Sequence, residues 1–151
     1  MTLVLDDHRL GQRKATLVAK LEALGEVTVA DVPRARRRRL VEVLAEAPGT
    51  DLPRLASFEY REALERARGG WRLLAYAYEF LDRAHGARRA YHWHDTSYHA
   101  HCVEPGRRGT RHYRALPMDV FEAHDEFARL YLSGEQIRCD DLRPALDWTS
   151  G

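Results

Sequence analysis

Histidine is the residue type in this chain best suited to chemistry, and it is concentrated in one segment. Seven of the eight histidines lie between His85 and His124, and four form two His-x-His pairs, His92/His94 and His99/His101. Imidazole nitrogens bind Zn, Cu, Ni and Fe(II), and they exchange protons near neutral pH. The clustering predicts that any site lies on the segment from Tyr91 to Cys102, extended toward His112.

The spacing of the pairs predicts that they share a face. In a β-strand, residues i and i+2 point to the same side. A two-residue turn at 96–97 and a four-residue loop at 95–98 both pair His94 with His99, and His92 with His101. Cross-strand neighbours have Cβ atoms roughly 4.5–5.5 Å apart, close enough to share one ion. The predicted metal ligands are therefore His92, His94, His99 and His101.

A third strand is expected to extend this face. If 105–108 is a four-residue loop, His112 pairs with His101. The opposite face then carries side chains that can pack against helices: Tyr91, Trp93, Ala100, Cys102 and Tyr113.

The favoured function is a metal-binding domain, in the form of a small mononuclear metalloenzyme with hydrolytic or oxidative chemistry on a small molecule. The cofactor would be a divalent transition metal, Zn, Fe, Cu or Ni. The catalytic candidates beside the metal are His112, His124 and Asp125. Two alternatives stay open: a metal-free nucleic-acid-binding protein or ribonuclease that uses histidine and arginine, and a non-catalytic metal- or pH-sensing regulatory domain.

Nucleic acid is the less favoured partner because Lys+Arg (24) and Asp+Glu (23) nearly balance, for a net charge of +1. Binding would need a local basic patch. The candidate phosphate contacts are Arg36, Arg37, Arg38, Arg39, Arg107, Arg108, Arg111 and Arg114.

Hydrophobic periodicity predicts an α+β fold of several helices on a small three-stranded antiparallel meander, at about residues 89–115. A single domain, 1–151, would have a helical N-terminal half (about 7–86) and a C-terminal helix (about 118–133) with a tail. Within the helical half, 26–32 is a short strand or connector and a basic helix runs over 34–47. A long helix over 57–85 would bury a stripe at 4-3 spacing: Tyr60, Leu64, Ala67, Trp71, Leu74 and Tyr78.

Composition excludes several classes. Apolar (44%) and charged (31%) contents are ordinary for a soluble globular chain, and no apolar run is long enough to span a bilayer, so no membrane partner is expected. Asp6 and Asp7 lie where a signal peptide needs basic residues. Two cysteines are too few for a disulfide framework, so Cys102 is expected as a small buried thiol in a cytoplasmic protein. The abundance of arginine and alanine indicates a bacterial source; the oligomeric state stays open.

Overall fold

The computed structural model describes residues 4–48, 55–140 and 142–144. Within them, nine strands form one antiparallel sheet that carries two helices, α1 (Asp7–Glu22) and α2 (Val120–Ser133). The sheet order is β2-β3-β4-β5-β6-β7-β8-β9, and β1 pairs with one end of β5. The strands are β1 (Val4–Leu5), β2 (Glu26–Pro33), β3 (Arg38–Ala47), β4 (Ala56–Ala67), β5 (Gly70–Asp82), β6 (Ala87–His94), β7 (Ser97–Val103), β8 (Arg111–Arg114) and β9 (Arg143–Pro144).

Each of the two helices begins at a capping aspartate. The Asp6 carboxylate caps α1 by accepting from the backbone N–H of Arg9 (2.8 Å), and Asp119 caps α2 in the same way through Phe121 (3.0 Å). Gly134 ends α2 with a left-handed backbone (φ 70°), as expected of a C-terminal glycine. Both helices bury an apolar stripe against the sheet.

The core lies between the helices and one face of the sheet. Its largest fully buried side chains are aromatic and come from the two longest strands, β4 and β5, and from α2: Phe58, Tyr60, Tyr78, Phe80 and Phe127. Because residues alternate along a strand, β4 and β5 turn their other residues, including Glu59, Arg61 and Glu79, to the uncovered face. We call this uncovered side of the sheet the open face.

The predicted fold, several helices on a three-stranded meander, is wrong. The expected helix over 57–85 is the hairpin of β4 and β5, and the expected basic helix over 34–47 is a hairpin tip followed by β3. The Gly69-Gly70 pair, taken as a weak point in a helix, lies at the β4–β5 turn. A Cβ on Gly70 would lie 2.1 Å from the carbonyl oxygen of Leu5, so glycine is what allows β1 to pair there.

The meander itself is present as β6, β7 and β8, but it continues the large sheet and gains β9. The extended segment at 26–32 is β2. None of the helices in the described part of the chain is long and apolar enough to cross a membrane.

The cysteine prediction needs correction. Cys102 is buried on the core face as expected, but it forms a disulfide with Cys139. The bond joins β7 to the segment that follows α2, and the carboxylate of Glu104 accepts from the N–H of Cys139 nearby (3.1 Å). The inference of reduced thiols, on which the cytoplasmic expectation partly rested, is therefore wrong.

Candidate functional site

Strand register brings the histidines of the meander to the open face. His92 pairs with His99, and His101 pairs with His112, while His94 lies opposite Ser97. The turn is at 95–96, one residue earlier than expected, and Asp95 adopts the left-handed backbone (φ 54°) that tight hairpin turns require. The turn has an even number of residues, so the four histidines of the two pairs lie on one face, as predicted. The predicted cross-strand pairs, His92 with His101 and His94 with His99, are wrong.

Three of these imidazoles are close enough to share an ion. One nitrogen from each of His92, His99 and His101 lies within 4.8 Å of the other two. The ring centroids are 4.4 Å apart for His92–His101 and 4.9 Å for His99–His101. We call His92, His99 and His101 the histidine triad.

His101 is the most unusual member of the triad. Both its ring nitrogens are shielded from solvent, and neither has a hydrogen-bond partner among the described residues. Buried polar atoms in folded proteins are nearly always paired, so this imidazole needs an explanation. Its nearest rings are His92 and, at 4.3 Å, His112, which adjoins the triad.

His92 is held by an acid that sequence reasoning missed. Its Nε2 lies 2.9 Å from the Oε1 of Glu79, a buried residue of β5 that also binds Arg88. Burial alone would raise the pKa of Glu79, but hydrogen bonds from His92 and Arg88 outweigh it and hold the pKa at about 2. Glu79 lies between Tyr78 and Phe80, which face the core, so strand alternation turns it to the open face beside the histidines. The sequence could reveal this only if the segment were predicted to be a strand.

The site keeps its inner imidazoles neutral. Burial, followed by the neighbouring histidines, lowers the pKa of His99 to about 4 and that of His101 to about 3. The pKa of His112 is also lowered, mainly by burial. A neutral imidazole has the lone pair that a metal needs, so near neutral pH the protons do not compete strongly for these nitrogens.

The remaining predicted site histidines and acids lie elsewhere. His94 is exposed at the end of β6; its ring is 5.0 Å from that of His99, but it is outside the triad. His124 belongs to α2 and is buried against the core face of the sheet, where its Nδ1 lies 2.7 Å from the hydroxyl oxygen of Tyr60. Asp125 is exposed on the same helix. Of the three catalytic candidates, only His112 lies in the cluster.

The predicted arginine contacts divide between opposite ends of the sheet. Arg36 and Arg37 are at the β2–β3 tip, and Arg38 and Arg39 begin β3. Arg107 and Arg108 lie in the β7–β8 connection, and Arg111 and Arg114 lie in β8. Four strands separate β3 from β8 in the sheet order, so the two groups do not form one surface. Arg39 is also engaged, since its guanidinium binds the Asp31 carboxylate.

Comparison with known proteins gives no further assignment: no protein-family model, no curated protein and no solved structure matches the chain.

Proposed function

We propose that the histidine triad binds one divalent transition-metal ion. The observation that carries the proposal is that both ring nitrogens of His101 are shielded from solvent and lack a hydrogen-bond partner in the described part of the chain, while the ring lies against those of His92 and His99. Leaving a buried polar group without a partner costs about 1–3 kcal/mol. A metal ion would give one of these nitrogens a partner, and the ligand set of neutral nitrogens suits Zn, Cu, Ni or Fe.

The separation of the nitrogens is compatible with this role after small rotations. With metal–nitrogen bonds of about 2.0–2.1 Å, two ligands of a tetrahedral ion lie roughly 3.3 Å apart. The triad nitrogens lie within 4.8 Å of one another, so the rings need to close by about 1.5 Å at most. Glu79 binds the Nε2 of His92, so ligation of the metal through Nδ1 would keep that hydrogen bond. A carboxylate behind a ligating histidine fixes its orientation and raises its basicity.

Three protein nitrogens leave a coordination position for water or substrate, which is the arrangement of catalytic metal sites. Small side chains on β4 and β5 make a shallow depression of about 270 Å³ on the open face, bordered by His92 and His94. Its floor is formed by Ala63, Ala75 and Ala77. We infer that the depression admits a small molecule to the metal, where a bound ion would supply Lewis acidity and an activated water or dioxygen.

Cobalt(II) titration tests the proposal because its visible spectrum reports coordination number and nitrogen ligation. The wild-type protein should saturate with a four- or five-coordinate spectrum, and His99→Ala and His101→Ala should each lose it. His8→Ala is the matched control, since His8 is exposed on α1 far from the cluster. Retention of the spectrum in both triad variants, or its loss in His8→Ala, would contradict the assignment.

A second candidate function, contact with nucleic-acid phosphates, is favoured by a basic surface that the fold assembles. The β2–β3 and β4–β5 tips lie at the same end of the sheet, where the N–H of Arg66 donates to the carbonyl of Arg37 (2.6 Å). Five exposed arginines here form no ion pair with any described residue: Arg34, Arg36, Arg37, Arg38 and Arg68. Guanidinium groups bind phosphate bidentately, and such a patch can act although the net charge is near zero.

Salt dependence tests this second candidate separately. Binding to a fluorescent RNA or DNA should weaken with salt, with a log–log slope near −0.9 per phosphate contacted on duplex DNA. Arg36→Gln together with Arg38→Gln should reduce the slope by about two, while Arg107→Gln with Arg108→Gln, at the other end, should leave it unchanged. Equal effects of the two double variants would exclude the tip as the interface.

A further inference from the structure

A second cleft lies on the helix-covered side of the sheet. It has a volume of about 380 Å³ and opens where α2 begins, above the middle of β5 and the ends of β6 and β7 that meet at their turn. Trp93, one of its wall residues, lies on β6 between His92 and His94, and strand alternation turns it to the opposite side from them. The cleft is therefore separated from the histidine triad by the thickness of the sheet.

Aromatic rings form its wall. Trp93 and Tyr98 stack across β6 and β7 with centroids 5.3 Å apart and planes within 7°. Tyr76 of β5 is tilted by 54° to Trp93 at 5.9 Å, and it lies 6.5 Å from Tyr98. The tilt makes a concave aromatic surface, and Trp93 and Tyr98 are both partly accessible. Tyr76 is fixed in place by the N–H of Met118, which donates to its hydroxyl (2.9 Å).

The charges around this wall are mostly negative. Asp119 and Glu122 border the cleft, and Glu122 is exposed and forms no ion pair within the described part of the chain. Arg13 is the basic residue of the lining, and both its terminal nitrogens are bound by the Glu62 carboxylate, one at 2.8 Å. The guanidinium is thus already neutralised by an acid outside the lining, and it also lies 3.7 Å from the Asp119 carboxylate. Glu122 is therefore the acid of the lining that forms no ion pair with a described residue.

Two backbone donors beside the cleft are also occupied. At the start of α2, the N–H of Phe121 donates to Asp119 and that of Met118 donates to Tyr76. A helix N-terminus attracts anions through free N–H groups, and here the Asp119 carboxylate already accepts from Phe121 and its negative charge repels a second anion. The cleft therefore offers ring faces and carboxylates to a ligand.

We propose that this cleft binds a small organic cation of the quaternary-ammonium type. Such a cation needs no hydrogen bonds, is attracted by the negative faces of tryptophan and tyrosine, and is the kind of ligand that aromatic cages recognise. The volume is within the range of small-molecule sites, and the exposed carboxylate of Glu122 balances the ligand's charge. The proposal does not depend on the metal site, because none of the triad lines this cleft.

A pair of ligands that differ only in charge gives the sharpest test. Choline and its neutral isostere 3,3-dimethyl-1-butanol have nearly the same shape, so calorimetric titration of each separates cation recognition from apolar filling. We expect choline to bind at least about tenfold more tightly, since cation–π contacts at partly desolvated sites have this magnitude. Equal affinities, tighter binding of the neutral alcohol, or no binding of choline would overturn the proposal, as would preferential binding of acetate.

Variants then assign the site. Trp93→Leu should weaken choline binding at least about tenfold, and Glu122→Gln should weaken it several-fold. Glu135→Gln, an exposed acid beyond the end of α2, is the matched control and should bind as wild type does. Glu122 is exposed, so its replacement keeps the test valid even if Trp93→Leu proves unstable. Unchanged choline affinity in Glu122→Gln and in a folded Trp93→Leu would place the ligand elsewhere and refute the site.

Discussion

Replacing His101 with leucine should stabilise the metal-free protein while abolishing metal binding. Both ring nitrogens of His101 are shielded from solvent and have no hydrogen-bond partner among the described residues, and the half-buried ring contacts those of His92 and His112. An unsatisfied buried group costs about 1–3 kcal/mol, and an apolar side chain of similar volume removes that cost. Functional sites commonly carry such a stability cost.

The magnitude is measurable by thermal or denaturant unfolding of chelator-treated protein near pH 7.5. The free energy of unfolding should rise by about 1–3 kcal/mol, and each kcal/mol should raise the Tm by roughly 2–4 °C in a chain of this size. Added metal should make the wild type more stable than His101→Leu. Wild type should gain about 2.7 kcal/mol when free metal is 100 times its Kd, and His101→Leu should gain nothing.

Two results would refute this reasoning. If metal-free His101→Leu is less stable than wild type, the imidazole makes stabilising contacts of its own. If the variant is stabilised by metal as much as wild type is, His101 is not a ligand. His8→Leu provides the control for a histidine that is already solvated.

Three further predictions concern the rest of the account. Glu79→Gln should weaken metal affinity about 10- to 100-fold while retaining the triad, as measured by competition with a chromophoric chelator; an unchanged affinity would mean that Glu79 does not orient His92. The metal-free protein should lose stability as pH falls from about 6.5 toward 4, because His99 and His101 accept protons near 6.5 when unfolded but only near 4 and 3 when folded; chemical denaturation at several pH values measures this, and a flat profile would contradict it. Reduction of the Cys102–Cys139 bond, which spans 37 residues, should lower the free energy of unfolding by about 4 kcal/mol in the chain-entropy treatment, and an unfolding curve unaffected by reductant would show that the bond is absent in solution.

Much of the local structure near the site is predictable from the sequence. Any turn with an even number of residues places both His-x-His pairs on the same face of the hairpin. The prediction of a shared face is therefore correct although the turn lies one residue earlier than predicted. The capped helices α1 and α2 carry clear signals at Asp6, Asp119 and Gly134.

The β4–β5 hairpin is mispredicted as a helix because its two faces differ little in hydrophobicity. The open face of β4 and β5 carries alanines, including Ala63, Ala75 and Ala77, so apolar residues also recur at helical spacing. The strands are 12 and 13 residues long, well beyond the usual length, and only the Gly69-Gly70 turn divides them. With that segment read as a helix, the partnership of Glu79 with His92 could not be foreseen. The disulfide joins residues distant in sequence, and two cysteines alone do not predict it.

Metal analysis of the purified protein tests the central claim most directly. Tag-free protein, prepared without chelator and analysed by inductively coupled plasma mass spectrometry, should contain about one Zn, Fe, Cu or Ni ion per chain. A His99→Ala/His101→Ala double variant should contain none, and His8→Ala should match wild type. A wild-type protein that is metal-free on purification, and that also takes up none of these ions at micromolar concentration, would contradict the account.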